Sequence, residues 1–295
     1  MQDIKHHPDR KKIAAAIRNL DDLPTLPQIA QRVLAISQDP KTSYRDLKTI
    51  ILPDPPLAAK VMMMANSAFF HRRSQAKTLE EAIFTIGLNN LVAICSSVGV
   101  LNTFDKWGGG EMDRRQLWRH SLATAFLAKS LELRKVLNKP QGPDIFLAGL
   151  LHDIGWIVLD KIIPEKMPNL IKAKEDTDQW SLELERKYIG LDHTEVGALF
   201  LKHWNIPPAV IEIVENHHAP EKSEQYPAQT GVVRIASILV SHRFKFCLPF
   251  DKVPEFFPHH LEDPNSSKVV QEMKDRYRDY IKQADAIADL MTDWL

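Results

Sequence analysis

Cysteine is scarce: Cys95 and Cys247 are the two thiols in 295 residues. Two cannot build a disulfide framework, and Cys95 lies inside an apolar run, which fits a buried thiol in a reducing cytoplasm. Net charge is also absent, with 38 Lys and Arg against 38 Asp and Glu. A chain without an overall field has no electrostatic grip on nucleic acid or an anionic membrane, and neither is expected as a partner. The blocks Arg10-Lys11-Lys12 and Arg72-Arg73 are short and read as solvated faces. Long hydrophobic runs are missing: Leu91 to Phe104 is broken by Ser96, Ser97 and Asn102 and is too short to span a bilayer. Met1 to Lys12 is polar and carries no apolar signal core. What remains is the composition of a soluble, cytoplasmic protein, 44% hydrophobic and 26% charged, with enough chain for one or two domains.

Period-two alternation is lacking too, so nothing argues for a sheet, and almost every segment reads as helix. Ile13, Ile17 and Leu20 form a short amphipathic stripe ahead of the breaker Leu23-Pro24-Thr25-Leu26-Pro27, where Pro27 is expected in the first turn of the next helix. Ser43 with Asp46, and Thr78 with Glu81, have the form of capping boxes, and Gly87 stands where a helix should end. Met62-Met63-Met64 reads as core filling rather than as a binding surface. Leu88 to Leu101 is expected to be an apolar helix. Trp107-Gly108-Gly109-Gly110 is the clearest flexible break. It divides a lobe over 23–106 from a second over 111–245. An N-terminal extension (1–22) precedes them, and a C-terminal one (246–295) ends in an amphipathic helix through Val270, Met273, Tyr277, Tyr280, Ala284, Ile287 and Met291. In the second lobe, long helical patterns run from Glu111 to Lys135 and from Gln229 to Phe244. Shorter ones run from Ser181 to Tyr188, from an Asp192 cap to Trp204, and from Pro207-Pro208 to His217.

The chemistry concentrates at Leu147-Ala148-Gly149-Leu150-Leu151-His152-Asp153-Ile154-Gly155. An apolar helical run here ends by presenting an imidazole beside a carboxylate. Ionisable pairs are seldom buried uncompensated, and a divalent metal compensates a His next to an Asp. His120, His193, His217 and His218 stand at helix-compatible positions from which they can converge on it. Taken singly, His193, His217 and His218 read as partly exposed helix-end histidines. His152 and Asp153 can equally form a hydrogen-bonded core pair, with Asp153 accepting from backbone or from His120.

These residues, together with the Leu23–Pro27 run, Asp54-Pro55-Pro56-Leu57, Ala65-Asn66-Ser67-Ala68-Phe69-Phe70, Thr78-Leu79-Glu80-Glu81-Ala82-Ile83 and Ile86-Gly87, resemble the HDOD family. Its members are relatives of the HD phosphohydrolases of bacterial signalling proteins. The likeness covers roughly 23–240. It implies an all-α, two-lobed helical bundle whose C-terminal lobe is HD-domain-like. It also implies that His120, His152 and Asp153 match the first three metal ligands, His193 the middle His, and His217 and His218 the pair added in two-metal members. One or two divalent ions (Fe, Mn, Ni or Zn) would suit that donor set.

Three departures bear on function. Ser237 stands where the family's final Asp is expected, and a neutral hydroxyl is a poor substitute for a ligating carboxylate. Trp156 replaces the Lys that commonly follows the motif's Gly, which removes a cation near a substrate phosphate. Ala219-Pro220-Glu221-Lys222 follows the His pair in place of a Gly-Tyr-Pro signature, so cyclic-di-GMP hydrolysis is not expected. The resemblance therefore implies a signalling module, non-catalytic or weakly catalytic, that acts through a protein partner. The rival readings are a metal-dependent phosphohydrolase of a nucleotide or other phosphoester, with His152 and Asp153 at its centre, and a metal- or ligand-sensing protein.

Overall fold

The computed structural model describes residues 7–18, 28–37, 41–67, 70, 75–88, 91, 94–95, 112–133, 145–177 and 182–244. Among them every regular element is a helix and there is no strand. No helix of the described residues is long and apolar enough to cross a membrane. Pro27, the segment 96–110, Arg72, Arg73, Cys247 and the expected C-terminal helix lie outside the described residues.

The helices are α1 (Pro8–Arg18), α2 (Gln28–Ser37), α3 (Tyr44–Ile51), α4 (Pro55–Ala65), α5 (Leu79–Ile86), α6 (Arg114–Leu133), α7 (Ile145–Leu151) and α8 (Ile154–Ile162), followed by α9 (Met167–Thr177), α10 (Leu182–Ile189), α11 (His193–His203), α12 (Pro208–Asn216) and α13 (Pro227–Phe244). They fall into two compact units. One holds α2 to α5; the other holds α6 to α13 together with α1.

Helix ends in the first unit follow local chemistry. Ser43 N–H donates to Asp46 at 2.8 Å. Asp54 accepts from Leu57 N–H at 2.9 Å, with Pro55 and Pro56 at the first two helical positions, where a missing N–H costs nothing. Thr78 accepts from Glu81 N–H at 3.2 Å, while the Glu81 carboxylate reaches back to Lys77 N–H at 2.7 Å, one residue beyond the expected return bond. Gly87 closes α5 at φ 83, a conformation that favours glycine. Leu47, Ile51, Leu57, Val61, Met64, Ala82, Leu91 and Ile94 form this unit's core. Of the three consecutive methionines Met64 is fully buried, whereas Met63 is 45% exposed, so core filling holds for one face of α4 only. Burial pushes the Cys95 thiol up to about 12.

In the second unit every residue of α7 is buried, and α6, α12 and α13 pack around it. α6 approaches α7 to backbone contact at Gly149, where a Cβ would come within 2.8 Å of Ala125 Cα. α8 crosses α11 equally closely: a Cβ on Gly155 would meet the His193 carbonyl oxygen at 1.8 Å, and one on Gly197 would meet Gly155 N at 3.3 Å. The sequence reading puts His152 within a helix, but α7 stops at Leu151. His152 Nδ1 donates to Gly149 O at 2.7 Å, one of the terminal carbonyls of α7, and His152 and Asp153 form the turn into α8.

Candidate metal centre

Five helices or their ends deliver the six candidate side chains to one place. His120 comes from the second turn of α6 and His152 and Asp153 from the turn between α7 and α8. His193 is the first residue of α11, and His217 and His218 follow α12. α11 starts at His193 because Asp192 caps it: Asp192 accepts from Glu195 N–H at 2.9 Å, and Glu195 returns to Asp192 N–H at 3.1 Å.

Asp153 stands between two sets of imidazoles. Its Oδ2 lies 3.1 Å from His152 Nε2 and 3.4 Å from His120 Nε2. Its Oδ1 lies 3.3 Å from His193 Nε2 and 3.7 Å from His217 Nε2. His218 Nε2 is 3.2 Å from His193 Nε2, and His120 Nε2 is 3.1 Å from His152 Nε2. The donor atoms of His120, His152 and Asp153 lie within 4.8 Å of one another, as do those of Asp153, His193, His217 and His218. His193 and His217 are buried, which corrects their reading as partly exposed helix-end residues; His218 is half-buried. The packing of α11 and α12 against α8 and α7 turns both helix ends inward, which the local pattern does not encode.

Proton placement shows what this arrangement suits. A backbone carbonyl only accepts, so His152 Nδ1 must donate to Gly149 O, and His217 Nδ1 must donate to Val214 O at 2.7 Å. In their neutral forms both rings then aim bare Nε2 lone pairs at Asp153. His217 Nε2 is buried and makes no hydrogen bond among the described residues. With both rings neutral, lone pair faces carboxylate on both sides of Asp153, an opposition that a second proton on the ring or a cation relieves. A cation on each side converts these repulsions into ligation, and the imidazole-rich donor set fits Fe, Mn, Ni or Zn. The residues present fit a metal.

Electrostatics point the same way. Burial lowers His217 and His218 well below the ordinary imidazole range, and the charges of neighbouring histidines lower them further. Burial likewise lowers His120, outweighing Asp153. Burial opposes the charge on Asp153, yet the imidazoles around it, His152 foremost, hold its carboxyl well below the usual range. His193 is the exception: burial opposes its proton, but the Glu185 and Asp153 carboxylates raise it to about 9.

Glu185 is the site residue that sequence reasoning missed. It is 1% exposed and accepts from His193 N–H at 2.7 Å and from His193 Nδ1 at 2.8 Å. This carboxylate–histidine arrangement fixes the tautomer that presents Nε2 to the centre. The signal was a carboxylate four residues before buried Ile189 on the inner stripe of α10. Ser237 does reach the centre, with its Oγ 3.3 Å from His120 Nε2. Trp156 lies flat on His193, rings 5.0 Å apart and inclined by 17°, so an apolar wall stands where the resemblance expects a lysine.

Comparison with known proteins identifies the family and the fold. The HDOD domain model matches residues 23–220. An uncharacterized protein of Treponema pallidum (strain Nichols) is 27% identical over 234 residues, 78% of this chain; the chain spans 44% of that relative's length. An HDOD domain protein of unknown function from Geobacter sulfurreducens superposes with TM-score 0.81 at 23% identity, covering 94% of this chain and 97% of its own. A Marinobacter aquaeolei VT8 protein provisionally named for signal transduction gives 0.75 at 20% identity, covering 96% and 66%. A Shewanella amazonensis SB2B protein provisionally named a metal-dependent phosphohydrolase gives 0.61 at 21%, covering 95% and 99%. At such identities these structural likenesses establish the all-helical fold. With two thirds of its length matched by the family model and a His/Asp cluster in its second unit, the chain belongs to the HDOD domain family.

Proposed function

We propose that this chain is a metal-holding signalling module, whose second unit binds one or two divalent ions and which acts on a protein partner more than on a substrate. The observation that carries the metal reading is the pair of imidazoles, His152 and His217, locked by backbone carbonyls so that their lone pairs oppose the two oxygens of Asp153. Ser237 carries the scaffold reading, because it leaves the His120 side without a second carboxylate. The signal-transduction name of the Marinobacter relative is in keeping with it.

A calorimetric titration tests metal binding. In the metal-free chain His193 is protonated at neutral pH, since its value is about 9. A histidine raised in this way contributes stability that is complete below about 6.5 and is lost as the pH climbs through about 9. Metal displaces that proton, so binding at pH 7 is expected to release about one proton from His193. The heat should therefore depend on the buffer's ionisation enthalpy, and affinity should rise with pH up to about 9. Binding without proton release contradicts this assignment; no uptake of Mn, Fe, Ni or Zn ends the metal reading.

A phosphohydrolase is the second reading, favoured by the way Asp153 offers one oxygen to each group of imidazoles. Two ions about 3.5–4 Å apart polarise a phosphoryl oxygen and acidify water, the chemistry of an in-line displacement. Such ions would outweigh the charges of Asp153 and Glu185 and favour a phosphoester anion at the centre. Ser237→Asp separates the readings. The new carboxylate beside His120 is expected to tighten metal binding about tenfold and to raise aryl-phosphate turnover from near background. Wild-type turnover that already equals the variant's and vanishes in the His152→Ala, Asp153→Ala double variant favours the enzyme.

A further inference from the structure

Helix α1 lies outside the residues matched by the family model, yet its contacts converge on the segment that carries His193. Ile13 and Ile17 are buried, and α1 packs against α8, α10 and α11. His7 sits on Gly190, where a Cβ would come within 2.5 Å of His7 Cβ, and Gly190 holds φ 78. Arg10 Nη1 donates to Gly190 O at 3.1 Å and lies 3.5 Å from Glu195 Oε1. Asp9 pairs with Lys166. Arg10 is thus more than the solvated charge its sequence context suggests: with its side chain 40% exposed, it ties α1 to the turn at Gly190, 180 residues on, and to Glu195 of α11.

Glu195, which Arg10 faces, also holds Asp192 N–H and lies 3.6 Å from Arg186 Nε. Asp192 caps α11, and the next residue is His193, whose N–H and Nδ1 both go to Glu185. The path from Arg10 runs through an ion pair and hydrogen bonds to Asp192, and then one step along the backbone to His193. We infer that α1 is a strap that sets His193 in the metal centre, with Arg10 as its positioning residue. The inference rests on the metal reading for its consequence but not for its geometry. It means that an event lifting α1 loosens one side of the centre without touching a ligand.

The experiment compares the full chain with Arg10→Ala and Lys12→Ala. Lys12 bonds Glu165 at 3.1 Å, an exposed pair on the same helix that does not touch the 190–195 segment, and its loss should change little. In metal-free protein, Arg10→Ala is expected to speed amide hydrogen exchange at His193 and Glu195 about tenfold, while Lys12→Ala leaves it unchanged. In metal-loaded protein, Arg10→Ala should speed metal release to a chelator about three- to tenfold, at or below the 10–100-fold typical of direct outer-shell partners. Equal exchange in wild type and Arg10→Ala overturns the strap, as does raised exchange with unchanged metal release. A chain that takes up no metal ends the reading of the centre, and exchange at His193 still decides the strap.

Discussion

Asp153→Asn should release metal from both sides of the centre at once. Either oxygen of this carboxylate faces a different group of imidazoles, at 3.1 Å from His152 and 3.3 Å from His193, and it is the one acidic member of both groups. An amide offers one weakly donating oxygen and places an N–H₂ against the other group. Losing outer-shell partners costs 10–100-fold in metal affinity, so removing this shared ligand is expected to cost about 100-fold or more. Chelator competition in the full chain measures it. Retention of metal on either side at wild-type strength contradicts a shared role for Asp153.

The second large effect is Gly155→Ala. The added methyl would lie 1.8 Å from the His193 carbonyl oxygen, 2.7 Å from its carbon and 2.9 Å from Gly197 N. All three are backbone atoms, so no flexible side chain can yield, and α8 and α11 must part. Overpacking usually costs 1–3 kcal/mol, and a clash with two backbones belongs at about 3 kcal/mol or beyond. Because the displaced carbonyl is that of His193, metal affinity should fall with stability. Gly87→Ala is the contrasting case. There φ is 83, ψ is 156 and nothing lies within 4 Å, so the cost is the backbone strain alone, about 1–3 kcal/mol, with metal binding untouched. Urea melts and chelator release on both variants check the pair. Equal metal release from Gly155→Ala and wild type would mean that the α8–α11 contact does not set the centre.

Much of this was legible locally. Helix starts follow a capping side chain directly before the first turn, as at Ser43, Thr78 and Asp192, and the sequence announces these three. The His152-Asp153 doublet stands out because nothing apolar in its run accounts for two ionisable groups. What stayed hidden depends on contacts distant in the chain. Arg10 reads as one charge in a basic block until α1 folds onto Gly190. Glu185 sits among Glu183, Arg186 and Lys187, and only its place on the inner stripe of α10 separates it from solvated neighbours. The turn at His152 arises from a side chain competing for a helix-end carbonyl, which periodicity cannot register.

Anomalous diffraction from crystals of chain loaded with Mn, Fe, Ni or Zn tests the centre most directly. The account predicts a peak at ligand distance, about 2.0–2.2 Å, from Nε2 of His120 and His152 or of His193 and His217, with an Asp153 oxygen in its shell. If both sides fill, the two peaks share Asp153 and lie about 3.5–4 Å apart. No peak beside Asp153 in metal-loaded crystals would contradict it and leave these histidines a buried hydrogen-bonded cluster.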